Sequence, residues 1–341
     1  MKNLSTINKF IYFINAILAV VLLISYALPF LPPKTFSVLS VLNLGVPFLI
    51  ICNVLFLIYW LVKVKKQLML SLIVLLIGYV FFGSLYKFSS SKMIEDENNI
   101  KVMNYNVRLF NVYDWINDSH VQSNMLKFIN EQAPDILCIQ EFHPHPKVDF
   151  SNYRYKFENI SGKKLKHGQA IFSKFPIINS GSVAFPNTSN NAVFADIVRH
   201  KDTFRVYNVH LESLRISTEI ESLKKEDSER LINRVGSTFK MQQFQTELFL
   251  KHKKQCKYKM IICGDFNNTA YSYVYRKIKG ELNDAFEEAG NGFGRTYDFK
   301  FFPVRIDYVF ADDAFAVNGF KSYNEHYSDH YPIMATLALQ N

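Results

Sequence analysis

Three long apolar runs, at about residues 10–31, 36–62 and 68–86, fill the first quarter of the chain, and none contains a charged residue. Any fold of this chain must bury these runs or place them in lipid. Each is near or above the ~20 residues that cross a bilayer as a helix. A secretory signal would show one apolar stretch of roughly 7–15 residues before a small-residue cleavage site, and three runs in succession do not fit that. The pattern predicts a membrane anchor over residues 1–92 with three transmembrane helices. Pro29, Pro32 and Pro33 close the first run, as expected where a helix ends. Tyr59, Trp60 and Tyr86 stand near run ends, where aromatic side chains form interfacial belts. Lys2, Lys9, Lys63, Lys65 and Lys66 fall on one side of such an anchor, and Lys34, Lys87 and Lys92 on the other. Lysines gather on the cytoplasmic side. The expectation is a multi-pass integral membrane protein with a cytoplasmic N-terminus and an extracytoplasmic C-terminal domain; losing one helix would reverse it.

After residue 92 the composition changes to a mixed, charged sequence. Residues 93–99 read as a short polar linker, and 100–341 as one catalytic domain. The net charge of +9 is spread over both halves: residues 1–100 hold eight lysines and three acids, leaving 31 basic and 27 acidic residues beyond. That is no strong basic footprint of a nucleic-acid binder, although it permits a polyanionic substrate. Cys138 and Cys263 lie in strand-like runs and Cys52 in an apolar one, so they read as buried thiols, and no cysteine spacing suggests zinc. Strand patterns occur at 100–107, 136–139, 168–172, 204–209, 259–263, 305–310 and 333–339, with helical patterns at 124–131 and 223–254. Strands and helices alternate only loosely, which predicts mixed rather than purely parallel sheets.

The chemistry lies at strand ends. Gln140-Glu141, Asn208-Val-His210 and Gly264-Asp265-Phe-Asn267 each close a buried run, and Ser328-Asp329-His330 precedes the last strand. A carboxylate there is costly unless something pairs with it. Glu141 and Asp265 are the metal candidates, because a hard cation such as Mg²⁺ takes oxygen ligands and binds through one or two carboxylates plus phosphate. The plainer alternative is a cap for the next turn. Asp265 and Asn267 alternate by two and so can share one face. Asp307 and His330 form a second pair, since a carboxylate on one imidazole nitrogen fixes the tautomer and raises basicity, as a general base requires. The plainer reading of His330, and of His210, is a satisfied structural histidine.

Seven segments in order resemble the endonuclease/exonuclease/phosphatase superfamily, which includes pancreatic-type deoxyribonucleases, apurinic endonucleases, neutral sphingomyelinases and inositol polyphosphate 5-phosphatases. They are Met103-Asn-Tyr-Asn106-Val, Pro134-Asp-Ile-Leu-Cys-Ile-Gln-Glu141, Gly168-Gln-Ala-Ile-Phe-Ser-Lys174-Phe-Pro176, Tyr207-Asn208-Val-His210-Leu, Ile262-Cys-Gly-Asp265-Phe-Asn267, Arg305-Ile-Asp307-Tyr and Ser328-Asp329-His330-Tyr-Pro332. The resemblance implies an α/β fold, with two mixed β-sheets packed as a sandwich and helices outside. It implies a divalent metal, Mg²⁺ or alternatively Mn²⁺, at Asn106 and Glu141 with Asp329 contributing. Asp265 would orient or deprotonate the attacking water, Asn267 and Asn208 would hold phosphate, His210 would contact phosphate or assist the leaving group, and Asp307 with His330 would form the acid/base pair. The family differs internally on which group is the base.

Arg108 departs from the acid carried by several relatives, and residues 214–240 look long for this family, either as a solvated helix face or as a substrate-selecting lid. Tyr271, Tyr273 and Tyr275 could stack bases or simply pack. The leading expectation is a membrane-anchored, metal-dependent hydrolase of phosphate esters, acting on nucleic acid or on a phospholipid headgroup. The alternatives are a sphingomyelinase-like or inositol-phosphatase-like enzyme and, in another class, a non-catalytic phosphate-binding membrane protein. The bilayer is an expected partner, and nothing in the sequence points to a protein partner.

Overall fold

The computed structural model of the chain describes residues 4–79, 82–88, 93–162, 165–216, 227–299 and 302–340. The apolar runs form α1 (Thr6–Ala27), α2 (Pro33–Ser40), α3 (Val46–Val62), α4 (Leu68–Ile77) and the single turn α5 (Phe82–Leu85). Ser5 caps α1, its side chain accepting from the Asn8 N–H, one of the donors a helix start leaves unsatisfied. The interior of the α1–α3–α4 bundle contains a polar chain. Asn15 Nδ2 donates to Ser71 Oγ at 2.8 Å, Ser71 donates to Asn53 Oδ1 at 3.3 Å, and Trp60 Nε1 donates to Asn15 Oδ1 at 3.0 Å. Outside, Phe10, Phe13, Leu55, Leu61 and Leu76 are each at least 60% exposed. This polar chain runs through an otherwise apolar interior that includes Leu22, Val46, Ile50 and Val74, and the outer surface is apolar as well, unlike that of a water-soluble bundle.

Among the described residues two stretches, Thr6–Phe30 and Pro33–Val62, are long and apolar enough to cross a membrane, rather than the three expected. The third run makes a helix of ten residues, about 15 Å long at 1.5 Å per residue against a hydrocarbon core of ~30 Å. It ends at Gly78, where a Cβ would lie 2.0 Å from the Tyr26 ring; the close approach to α1 takes precedence over a longer helix. The second stretch is broken too, by a 3-10 turn at Val41–Gly45. Helices α1, α3 and α4 pack on one another. At one end Tyr59 Oη donates to Asn8 Oδ1 at 2.7 Å; at the other, Phe30 lies 4.1 Å under the Arg276 guanidinium of the C-terminal half.

The C-terminal half begins with β1 (Asn99–Asn106), α6 (Val121–Gln132), β2 (Ile136–Phe142), β3 (Tyr155–Ser161) and β4 (His167–Ser173). There follow β5 (Ile177–Ala184), β6 (Asn191–Arg199), β7 (Asp202–His210), α7 (Ser228–Lys253) and β8 (Lys259–Asp265). The chain continues through α8 (Tyr273–Lys279), β9 (Asn283–Asp284), α9 (Ala285–Ala289), β10 (Asp307–Ala311), β11 (Phe315–Ser322) and β12 (Ile333–Leu339). The strands make two six-stranded sheets, ordered β11-β12-β1-β2-β4-β3 and β5-β6-β7-β8-β10-β9. Both are mixed, with β1–β2 and β7–β8 parallel among antiparallel neighbours. Val102, Ile136, Cys138, Val206, Ile261 and Cys263 fill the space between the sheets. Their alternate neighbours face outward: Met103 and Leu137 meet α6, and Ile262 meets α7 and α8, as the period of two demands.

The two halves share a packed interface. The Lys34 N–H donates to Gln243 Oε1 at 2.8 Å, and Lys34 Nζ pairs with Glu247. Gly236 on α7 sits against the Ser37 backbone of α2, where a Cβ would approach to 3.3 Å. The 227–240 part of the long segment is therefore partly a docking face, not only a solvated one; its residues 217–226 lie outside the described residues. Of the linker, the Ile94 N–H bonds Asn318 O at 2.8 Å, and its preceding serines 89–91 lie outside the described residues. Tyr271 and Tyr275 are buried, so they pack and do not offer stacking faces. Arg305, also buried, donates from Nη1 to Asp284 Oδ2 at 2.6 Å and lies 4.5 Å over Phe286 and 4.8 Å over Tyr308.

Candidate active site

Strand register assembles the site. Parallel β7 and β8 set His210 opposite Asp265, and antiparallel β8 and β10 set Asp265 opposite Asp307. The three side chains form one row across adjacent strands, which lie roughly 4.8 Å apart. In the other sheet β1 and β2 set Asn106 opposite Gln140. Glu141 follows in the left-handed region (φ 52°) beside a register shift between Ile139 and Phe142. Such a bulge re-aims a side chain. Gly264 precedes Asp265 because a Cβ there would lie 2.0 Å from Val209 O.

Asp265 is the hub. Its Oδ2 accepts from Asn106 Nδ2 at 3.0 Å and from Asn267 Nδ2 at 3.1 Å, and its Oδ1 accepts from the Asn267 N–H at 2.8 Å. The Nε2 atoms of His210 and His330 each lie 3.6 Å from Oδ2. On its other side His330 Nδ1 meets Asp307 Oδ2 at 2.9 Å. Burial alone would depress the His330 imidazole, but Asp307 and Asp265 outweigh it and push it up to about 10. Burial raises the Asp265 carboxyl, His330 opposes that, Asp307 adds to it, and the outcome is about 7. His210 is lowered to about 3 by burial, with His330 and His167 contributing. Two imidazoles beside one carboxylate are thus held in opposite protonation states.

The His210 shift carries a stability prediction. Between pH 6.5 and about 3 the unfolded chain binds a proton at this residue that the folded chain refuses, so this contribution to stability falls as pH falls. At pH 5 the cost is ~2 kcal/mol. His210→Gln should therefore lose less thermal stability than the wild type between pH 7 and pH 5; equal losses in a calorimetric comparison would refute this.

A hard divalent cation fits the other edge of the site. Asn106 Nδ2 reaches Glu141 Oε1 at 3.3 Å. Glu141 is raised by burial and by the nearby Asp329, against Asn106, His330 and Arg108. Asn106 Oδ1 accepts from the Arg108 N–H at 3.1 Å, so the oxygens at this edge are those of Glu141 and Asp329, mutually repelling carboxylates of the kind a Mg²⁺-like ion would relieve. Asp265, Asp307 and His330 also place potential ligand atoms within 4.8 Å of one another. With His330 protonated and bonded to Asp307, that cluster is better suited to proton handling.

His210, Asp265, Asp307, His330, Asn106, Glu141 and Asn267 thus converge, and Asp329 borders them through Arg108 Nε at 3.4 Å. Asn208 does not fit the expected phosphate contact. It is fully buried, its Nδ2 donates to Ile139 O and Ala170 O, and its Oδ1 accepts from Gln140. It belongs to an amide chain between the sheets: Gln140 Nε2 also donates to Asn104 Oδ1 at 2.7 Å, and Asn104 Nδ2 to Asp307 Oδ1 at 3.3 Å. The signal for Asn104 was its spacing of two from Asn106 within an apolar strand. Nothing in the local pattern marks Thr296, whose Oγ1 accepts from the Ile306 and Asp307 N–H groups, or Tyr297, whose ring stands edge-on to His330 at 5.1 Å. Arg108, the departure from the family pattern, lies 4.4 Å over Trp115.

A model described as the Endonuclease/Exonuclease/phosphatase family matches residues 103–330, and one described as a domain of unknown function matches residues 8–85. The chain belongs to the endonuclease/exonuclease/phosphatase family, whose members hydrolyse phosphate esters. No curated protein matches it. Among solved structures it is similar to the human Nocturnin catalytic domain with bound sulfate anion (TM-score 0.54, 18% identity, 71% of this chain and 94% of that one). It is also similar to a family member from Bacteroides thetaiotaomicron (0.53, 19%, 72% and 100%). A third likeness is to D. rerio TDP2 complexed with single strand DNA product (0.52, 17%, 71% and 99%). At these identities the likeness concerns the fold.

Proposed function

We propose that this protein is a membrane-anchored, divalent-metal-dependent hydrolase of phosphate esters, with residues 1–92 as anchor, 93–99 as linker and 100–341 as catalytic domain. The observation that carries this is Asp265, buried and held by Asn106 and Asn267 between two imidazoles. Asp265, near 7, is suited to take a proton from water attacking phosphorus. His330, kept charged by Asp307, stabilises the phosphoryl oxygens and returns a proton to the leaving oxygen. Neutral His210 is too weak a base for either role and donates a hydrogen bond to phosphate, with Asn267 beside it. Asn106, Glu141 and Asp329 would hold Mg²⁺ or Mn²⁺, which supplies Lewis-acid stabilisation of the charge developing on phosphate oxygens.

The apolar outer surface of the bundle supports insertion in a bilayer. Lys9, Lys63, Lys65 and Lys66 belong to the bundle end where Tyr59 meets Asn8, remote from the Phe30–Arg276 contact. By the lysine rule that end is cytoplasmic and the catalytic domain lies outside the cytoplasm. This orientation rests on which end carries lysines rather than on counting helices.

The test is chelation of the full-length protein in detergent. Hydrolysis of a chromogenic phosphodiester should fall at least about 100-fold with EDTA and return with Mg²⁺ or Mn²⁺. Turnover indifferent to EDTA would refute metal dependence. Phosphate-ester binding without turnover under any metal would favour the non-catalytic alternative.

A further inference from the structure

Two cavities of opposite character flank Asp265, one lined by its neighbour His210 and the other by its neighbour Asn267. One, of about 340 Å³, is lined by polar residues and includes Glu141 and His210 together with Thr188, Asn190 and Glu212. The other, of about 450 Å³, lies between the two halves of the protein. Leu44, Pro47, Phe48 and Leu85 come from the anchor side, with Phe293 and Phe302 opposite. Both volumes are in the range of ligand sites, roughly 300–1,000 Å³. Ser213 and Arg215 line both cavities. The inner end of the apolar one is formed by Asn267, Ile306 and Tyr297, which adjoin Asp265, Asp307 and His330. Phe48 is 63% exposed and belongs to the same helix as the outward apolar side chains Leu55 and Leu61. The apolar cavity therefore continues onto the surface that faces lipid if the bundle is in a bilayer.

A ligand filling both cavities must be polar at one end and hydrocarbon at the other, with its junction at Ser213 and Arg215, between His210 and Asn267. Arg305 lines the apolar cavity, and its buried Nε and Nη2 have no hydrogen-bond acceptor among the described residues. Those two atoms are shut off from the cavity as well as from water, so the lining a ligand meets is mainly the apolar one.

We propose that the substrate is a lipid phosphoester, drawn from the bilayer, with its headgroup in the polar cavity, its scissile phosphate beside Asp265 and its hydrocarbon chain in the apolar cavity. This rests on the reading of the site as a phosphoesterase. Water adds across one P–O bond, its oxygen going to phosphorus and its proton to the departing oxygen.

The test uses the full chain in nanodiscs and two chromogenic diesters, dodecyl p-nitrophenyl phosphate and methyl p-nitrophenyl phosphate. The dodecyl ester should be preferred in kcat/KM on the order of 100-fold. Leu44→Trp, which fills the cavity, and Phe48→Asp, which charges an exposed wall and so spares the core, should each shrink that ratio about tenfold. Equal kcat/KM for the two esters, an unchanged ratio in both variants, or preference for an oligodeoxynucleotide ester would overturn the proposal. Binding of dodecyl phosphate against methyl phosphate by the Asp265→Asn chain separates the two readings. If neither ester turns over, the phosphoesterase reading fails. Tighter dodecyl binding that Phe48→Asp abolishes would then sustain the amphiphile site, and equal binding would end it.

Discussion

Asp265→Asn should lower kcat/KM for phosphate-ester hydrolysis by about a thousandfold while the protein stays folded. Asparagine keeps the shape and can still accept at Oδ1 from the Asn267 N–H, but it cannot take a proton from water. The direction of the Asp265 shift adds a second readout. Its folded-state value, about 7, lies above the ordinary carboxylate value of 3.8. The folded chain therefore bears a cost for the charged form that grows as pH rises from 3.8 and is complete above 7. The variant removes that cost but turns an Nδ2 toward the Asn106 and Asn267 donors, so the readout is the slope: its thermal midpoint should fall less than that of the wild type between pH 5 and pH 8. Steady-state kinetics and a thermal melt check both halves. Activity within a few-fold of wild type would remove Asp265 from the reaction; an inactive protein with a collapsed midpoint would mean that the loss is structural.

Asp284→Ala should cost about 3–5 kcal/mol of stability, the second large effect. Asp284 is buried at the start of α9, where its Oδ1 accepts from the Phe286 N–H. Its Oδ2 accepts from Arg305 Nη1 at 2.6 Å and from Tyr275 Oη at 2.8 Å. Removing it leaves the guanidinium among Tyr275, Phe286 and Tyr308 without the carboxylate that compensates its buried charge. Arg305→Met combined with Asp284→Ala should be less damaging than Asp284→Ala alone, since the uncompensated charge is gone. Denaturant melts of the three variants decide it, and a loss below about 1 kcal/mol in Asp284→Ala would show that the ring faces suffice.

The site was legible because its residues end strands. Asn106, Glu141, His210 and Asp265 close four buried runs, and the alternation of two within each run determines which side chains share a face. Where several strands contribute, local pattern is no longer enough. The period of two puts Asn208 and His210 on one face of β7, but Asn208 lies deeper between the sheets, where its amide serves backbone carbonyls. β5, with Asn179, Ser180, Gly181 and Ser182 in its middle, has no apolar alternation to read, because it is an edge strand with one half-solvated face. The Arg108–Asp329 pair and Tyr297 come from loops placed by tertiary contacts. In the anchor, composition marked the apolar runs but not their interruptions. Gly78 ends α4 because of Tyr26, more than fifty positions earlier, and α2 leaves the bundle because α7 offers Gly236 to receive it.

The row His210–Asp265–Asp307 also bears on how the chain reaches its working state. Its members belong to strands that become neighbours only when the second sheet has formed, and the Ser328 hydroxyl bonds the Asn106 carbonyl across 222 positions of sequence. Such contacts form late, after the loop-closure entropy between distant segments has been overcome. Partly folded chains, however rich in secondary structure, should therefore be chemically silent. Regain of turnover during refolding would lag behind regain of circular dichroism and would report the completed sandwich.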